Sequence, residues 1–197
     1  KAEALRTFGL EPSKKTILIV GGSLGARTIN DSVMAHLDEL QNSGVQVIWQ
    51  TGKNYFENIK QQLAEKSPMP ALKPTDFIAD MGAAYRAADL VISRAGASSI
   101  SEFCLIGKPV ILVPSPNVAE DHQTKNAMAL VNRQAAQFVS DAEASQKLIP
   151  LALSTVKDDQ ILGQLSHNIK LMELRNSAET IANEVFALAE KQANKKR

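Results

Sequence analysis

Cysteine is almost absent from this sequence: Cys104 stands alone among 197 residues. One thiol cannot close an internal disulfide, so the fold must rest on packing, and the usage suits a reducing compartment. Excess charge is missing too. Lys and Arg number 22 against 21 Asp and Glu, a formal net charge of +1, which argues against nucleic acid as the main partner. The closing Lys195-Lys196-Arg197 reads as a basic tail that frays. No apolar run reaches the ~18 residues of a membrane span, and no signal peptide is visible. Aspartates never recur as Asp-x-Asp, so a diphosphate-bridging metal has no obvious ligands, and no metal or other cofactor is expected. The chain begins at Lys1 and not at Met, as expected of a piece of a longer protein.

What is present is a core and an alternation. Hydrophobic residues make up 44% of the chain, enough for one large domain or two small ones. Residues 1–15 are polar with Gly9 and Pro12, and read as a linker. Thr16–Val20 is a continuous apolar run, the mark of a strand buried on both faces. Further strands are expected at 45–49, near 75–78, at 89–92, at 110–113 and at 136–139. Helices are expected between them, at about 54–66, 80–87, 97–105 and 121–132, with one after residue 26 carrying Ile29, Val33, Leu37 and Leu40 at helical spacing. Residues 143–191 read as helical in two or three pieces. The expected domain is 16–175, followed by a C-terminal helix and tail over 176–197. This order predicts a Rossmann-like α/β fold, a parallel sheet with helices on both faces. Ligands of such sheets sit outside the carboxyl ends of the strands.

The motifs follow strands, as that geometry requires. Gly21-Gly22-Ser23-Leu24-Gly25 is a strand-to-helix glycine turn, the usual shape of a phosphate cradle. It is neither the dinucleotide fingerprint nor a P-loop, because the glycine spacing and a following Gly-Lys-Ser/Thr are both wanting. Ser93-Arg94-Ala95-Gly96-Ala97-Ser98-Ser99 leads from a strand into a helix. Gly96 lets backbone approach a ligand, and the N–H groups of Ala97, Ser98 and Ser99 at a helix start favour an anion, with Arg94 nearby for charge. Glu102 lies one turn further in, where its carboxylate can accept from ribose hydroxyls; the same stretch would equally serve as a capped helix with Glu102 as a solvated acid. His122, Gln123 and Asn126 share a helix face, and amides with an imidazole can grip sugar hydroxyls; capping by Asp121 with polar surface behind it is the alternative. Together these residues read as a site for a nucleotide and a sugar-like ligand.

Four motifs in order resemble the MurG family. They are Gly21-Gly22-Ser23-Leu24-Gly25-Ala26-Arg27 with Asn30; Phe77-Ile78-Ala79-Asp80-Met81 with Ala83-Ala84-Tyr85; Arg94-Ala95-Gly96-Ala97 with Ser101-Glu102; and His122-Gln123 with Asn126-Ala127. The resemblance covers roughly residues 10–190. It implies the C-terminal, donor-binding half of a GT-B glycosyltransferase, an inverting hexosyltransferase that moves GlcNAc from UDP-GlcNAc onto lipid I to form lipid II for bacterial peptidoglycan. It implies that Ser23, Leu24, Gly25 and nearby amides touch diphosphate, and that Ile78 meets uracil through its backbone, with Phe77 and Met81 beside the base. It implies phosphate on Ala97, Ser98 and Ser99, ribose on Glu102, and GlcNAc on His122, Gln123 and Asn126. Some relatives carry glutamine where His122 stands, so His122 is expected as a sugar contact and not a base. No catalytic residue is expected in this half. Expected partners are UDP-GlcNAc, the N-terminal acceptor domain of the same protein and, through it, lipid I and the inner face of the cell membrane. Rival readings are half of a UDP-GlcNAc 2-epimerase and a nucleotide-sugar-binding module without chemistry.

Overall fold

The computed structural model describes residues 1–195, and Lys196 and Arg197 of the expected basic tail lie outside the described residues. Six parallel strands form one sheet: β1 (Thr16–Val20), β2 (Gln46–Gln50), β3 (Leu72–Thr75), β4 (Leu90–Ser93), β5 (Val110–Leu112) and β6 (Gln137–Phe138). Their order is β3-β2-β1-β4-β5-β6, the doubly wound order whose switch point falls between the first strand and the fourth. Every strand therefore ends at the same edge of the sheet. The turns after β1, β4 and β5, and the stretch after β3, come together there.

The strands are apolar without alternation because both faces are covered. Ile17 and Ile19 of β1, Val47 and Trp49 of β2, Leu90 and Ile92 of β4 and Ile111 of β5 enter one core. Leu18, Ile48, Val91, Val110 and Leu112 enter the other. Successive side chains of a strand point to opposite faces, so one sheet of short strands nucleates two cores. The helices α2 (Arg27–Ala35), α3 (Leu37–Asn42), α4 (Phe56–Ala64) and α8 (Ala144–Lys157) supply residues to the first. The helices α1 (Ala2–Thr7), α5 (Met81–Ala87), α6 (Ala97–Ile106), α7 (His122–Val131) and α9 (Asp159–Lys170) supply the second.

Several expected bounds are corrected. Residues 1–15 are not all linker: Ala4, Leu5 and Leu10 are buried in the second core, and α1 packs along α5. These three apolar residues suffice for docking even in a polar stretch. The helix after residue 26 breaks at His36, whose φ of −119° is not helical. The third strand lies at Leu72–Thr75 rather than 75–78. Pro74 obscures it in the sequence, yet β3 is an edge strand, where a missing N–H is tolerated. Phe77 and Ile78 are thereby freed from the ladder. The C-terminal stretch resolves into α8, α9 and α10 (Ser177–Lys195), with Ile181, Val185, Phe186 and Leu188 of α10 exposed. No helix among the described residues is long and apolar enough to cross a membrane.

Candidate functional site

The glycine loop leaves β1 at Gly21, whose N–H donates to the Gln50 carbonyl at 3.3 Å. Gly22 and Gly25 take φ values of +80° and +89°, a region open to glycine at little cost. Gly25 lies against the turn after β2, so closely that a Cβ there would strike the Thr51 carbonyl and the Tyr55 ring. Gly52, with φ +81°, meets it from the other side. Ser23 and Leu24 at the tip are exposed. Behind the loop, buried Asn30 donates to the Thr51 carbonyl at 2.9 Å and accepts from the Trp49 indole at 3.0 Å. Both of its polar ends are used to lock α2 to β2.

The turn after β4 brings Gly96 to the N-cap of α6, and no side chain caps that helix. The N–H groups of Ala97, Ser98 and Ser99 therefore remain for a ligand. Gly96 has an ordinary extended conformation, φ −69° and ψ 143°, and a Cβ there would meet only Ser99 Oγ, at 3.9 Å. Its value is open space at the cleft mouth, not an unusual dihedral. Glu102 is exposed one turn on, and its Oε2 accepts from the Tyr85 hydroxyl at 2.9 Å.

Arg94 is engaged within the fold. Its Nη1 donates to the Val113 and Pro114 carbonyls, each at 3.1 Å, and pairs with Asp141. Asp141 in turn accepts from Thr28 Oγ1 at 2.9 Å. Through Nη1 the guanidinium ties the ends of β4 and β5 to the first turn of α2, so the charge expected near phosphate is one already paired with Asp141. The signal was hidden because Asp141 lies 47 positions away.

The α7 residues split their functions. Gln123 Oε1 accepts from two backbone N–H groups, Ala95 at 3.2 Å and Ser115 at 2.9 Å. Asn126 Nδ2 donates to the Ala95 carbonyl at 3.2 Å. Those backbone partners fix which way each carboxamide faces. Both polar groups of the Ala95 peptide unit are thus held by α7, one step before the amides of α6. What each carboxamide has left is its other end, the Gln123 Nε2 donor and the Asn126 Oδ1 acceptor. His122 is exposed, with Nδ1 2.8 Å from the Ala119 carbonyl. It follows Glu120 and Asp121, both at positive φ, which is strained for residues other than glycine.

On the other flank, residues 76–80 lie between β3 and α5, outside strand and helix. Ile78 is buried in the second core, so only its backbone can face a ligand. Phe77 is half exposed and Met81 is partly buried against the same core. Asp80 caps α5, accepting from the Ala83 N–H at 2.7 Å. Cys104 is buried and its thiol is pushed up by that burial, which leaves it a poor nucleophile. Among the described residues no cluster of His, Cys, Asp or Glu could hold a metal ion. The arrangement presents backbone donors, one carboxylate acceptor and two half-free carboxamides along one edge of the sheet, groups whose chemistry suits an anionic, hydroxyl-rich molecule. Of the residues singled out from the sequence, Arg94, Gln123 and Asn126 each spend part of their hydrogen-bonding capacity within the fold. Asp141 carries no motif signal of its own, and the motif that holds Tyr85 gives no hint of its Glu102 partner, because the partners are distant in the chain.

The glycosyltransferase family 28 C-terminal domain matches residues 16–181. The chain is 61% identical, over 97% of its length and 51% of the relative, to the UDP-N-acetylglucosamine--N-acetylmuramyl-(pentapeptide) pyrophosphoryl-undecaprenol N-acetylglucosamine transferase of Phocaeicola vulgatus. The protein of the same name from Bacteroides thetaiotaomicron is 60% identical over 96% of the chain and 51% of that relative. The crystal structure of Acinetobacter baumannii MurG superposes with a TM-score of 0.74 at 26% identity, covering 90% of this chain and 54% of that one. The chain spans about half the length of the curated relatives it matches.

Proposed function

The chain belongs to the glycosyltransferase family 28 C-terminal domain family, and from that premise we propose that it binds the UDP-GlcNAc donor for transfer of GlcNAc to lipid I. Lipid II would be the product, in peptidoglycan synthesis. One observation carries the reading beyond family membership: an uncapped helix start with a carboxylate one turn inward, Glu102, at the switch point of the sheet. Helix amides suit a diphosphate and the carboxylate suits the ribose diol. Ser23, Leu24 and Gly25 flank the diphosphate from the glycine loop. The Ile78 backbone, with Phe77 and Met81, receives uracil. His122, Gln123 Nε2 and Asn126 Oδ1 face the sugar. No side chain in this half is assigned as the catalytic base, and no metal or cofactor is assigned. The acceptor site and the membrane-facing surface belong to the half of the protein that the curated relatives have in addition. In the whole protein the enzyme would lie peripheral to the cytoplasmic face of the membrane. Sixty-one per cent identity to a named transferase favours this over an epimerase or a module without chemistry.

Two measurements test it. Calorimetry on the isolated chain should find binding of UDP and UDP-GlcNAc that EDTA leaves unchanged, and an assay with lipid I should find no transfer until the N-terminal half is supplied. A folded sample that ignores millimolar UDP would sink the proposal. Glu102→Gln should weaken UDP by about 1.5–3 kcal/mol, the range for a hydrogen bond to a charged group, and should weaken inorganic pyrophosphate much less. Equal losses would assign Glu102 to the phosphates or to the fold.

A further inference from the structure

We infer that Tyr85 is a positioning residue that sets the Glu102 carboxylate for the ribose hydroxyls, an inference resting on the donor-site reading above. The two residues lie 17 positions apart on α5 and α6, and the Tyr85 hydroxyl donates to Glu102 Oε2 at 2.9 Å. Glu102 is exposed and would otherwise sample several rotamers, so fixing it on ligand binding would cost entropy. Tyr85 removes part of that cost beforehand. It can do so because its own ring is held. The ring is partly buried against the second core and stands edge-on to Phe103, with centroids 5.9 Å apart and planes at 90°. Phe103 is itself 1% exposed, so the bearing is rigid.

The contact also assigns the carboxylate's two oxygens. Oε2 is occupied by the phenol, and among the described residues no hydrogen bond reaches Oε1. A hydroxyl of the ligand therefore finds an acceptor already aimed and only half used. Burial, reinforced by Glu102 itself, pushes the Tyr85 phenol well above its ordinary value, so it stays protonated and remains a donor at any physiological pH. Tyr85 sits on the helix that begins directly after residues 76–80. The element that flanks the base is thereby joined to the acceptor for the sugar of the nucleoside.

The test compares UDP with 2′,3′-dideoxy-UDP, which lacks both hydroxyls, by calorimetry on the parent chain, Tyr85→Phe, Glu102→Ala and the double variant. Tyr85→Phe keeps the ring and its packing on Phe103. It should weaken UDP about three- to tenfold, the worth of one ordinary hydrogen bond, with dideoxy-UDP and the thermal midpoint unchanged. On the Glu102→Ala background the same change should do nothing further. If Glu102→Ala abolishes the preference for UDP but Tyr85→Phe leaves it intact, the inference is overturned and the donor reading stands. Equal weakening of both ligands by Tyr85→Phe would make Tyr85 a packing residue and overturn the inference as well. If Glu102→Ala leaves the preference intact, Glu102 is not the ribose acceptor and the inference falls with that assignment, whereas the donor reading falls only if the folded parent chain ignores UDP.

Discussion

Gly52→Ala is expected to lower the thermal midpoint by roughly 6–12 °C and to weaken UDP at the same time. Gly52 adopts φ +81°, and a Cβ there would overlap the backbone of Leu24 and Gly25. The dihedral costs about 1–2 kcal/mol for an L side chain, and forcing two backbones apart costs about 1–3 more. A total near 3 kcal/mol corresponds to the stated shift in a chain of this size. Neither partner can give way easily. Gly25 is itself at positive φ, with the Thr51 carbonyl and the Tyr55 ring where its own Cβ would lie. The turn after β2 and the glycine loop after β1 are thus packed back to back, so strain in one displaces the phosphate-side loop. Gly22→Ala supplies the comparison. Its φ is +80° and its Cβ would meet nothing within 4 Å, so it bears the dihedral cost alone. Scanning calorimetry decides the matter: matching midpoints for the two variants would show that the back-to-back contact yields freely.

Gln123→Ala should cost about 2–4 kcal/mol of stability and should weaken UDP tenfold or more, with UDP-GlcNAc weakened at least as much because Nε2 is lost from the sugar side as well. The side-chain oxygen accepts from the N–H groups of Ala95 and Ser115. Its loss leaves two donors unpaired at about 1–3 kcal/mol each, the lower end applying to Ser115, which water can reach. Ala95 is buried and immediately precedes the turn that aims the α6 amides, so the diphosphate feels the loss even though Gln123 need not touch it. Gln123→Glu retains an acceptor oxygen and should restore the thermal midpoint. A loss confined to UDP-GlcNAc would instead make Gln123 a sugar contact with no part in the nucleotide site.

The placement of the motifs at one edge of the sheet was legible in the residue order. Gly21–Gly25, Gly96–Ser99 and Glu102 each stand at a strand-to-helix junction, and a parallel sheet collects such junctions at one edge. Arg94 shows where that reasoning stops. Its neighbours in sequence are a glycine and small residues, which suggest an anion site, yet its partners are Asp141 and the carbonyls of Val113 and Pro114. Gln123 and Asn126 show the same limit in a milder form. Their spacing correctly set them on one helix face, but spacing says nothing of the Ala95 peptide that takes half of each carboxamide.

The sequence by itself determined the class of fold and the side of the sheet on which ligands meet it. Continuous apolar runs such as Ile17–Val20 can be satisfied only by burial on both faces, and a helix between successive strands forces them parallel. The tertiary structure alone decided how each polar group is spent. A hydrogen bond needs its partner within about 3 Å and correctly aimed. Residues separated by 17 positions, as Tyr85 and Glu102 are, or by 47, as Arg94 and Asp141 are, reach that distance only after the sheet has folded. No local propensity encodes those meetings, so which donors and acceptors remain free for a ligand is a property of the packed chain.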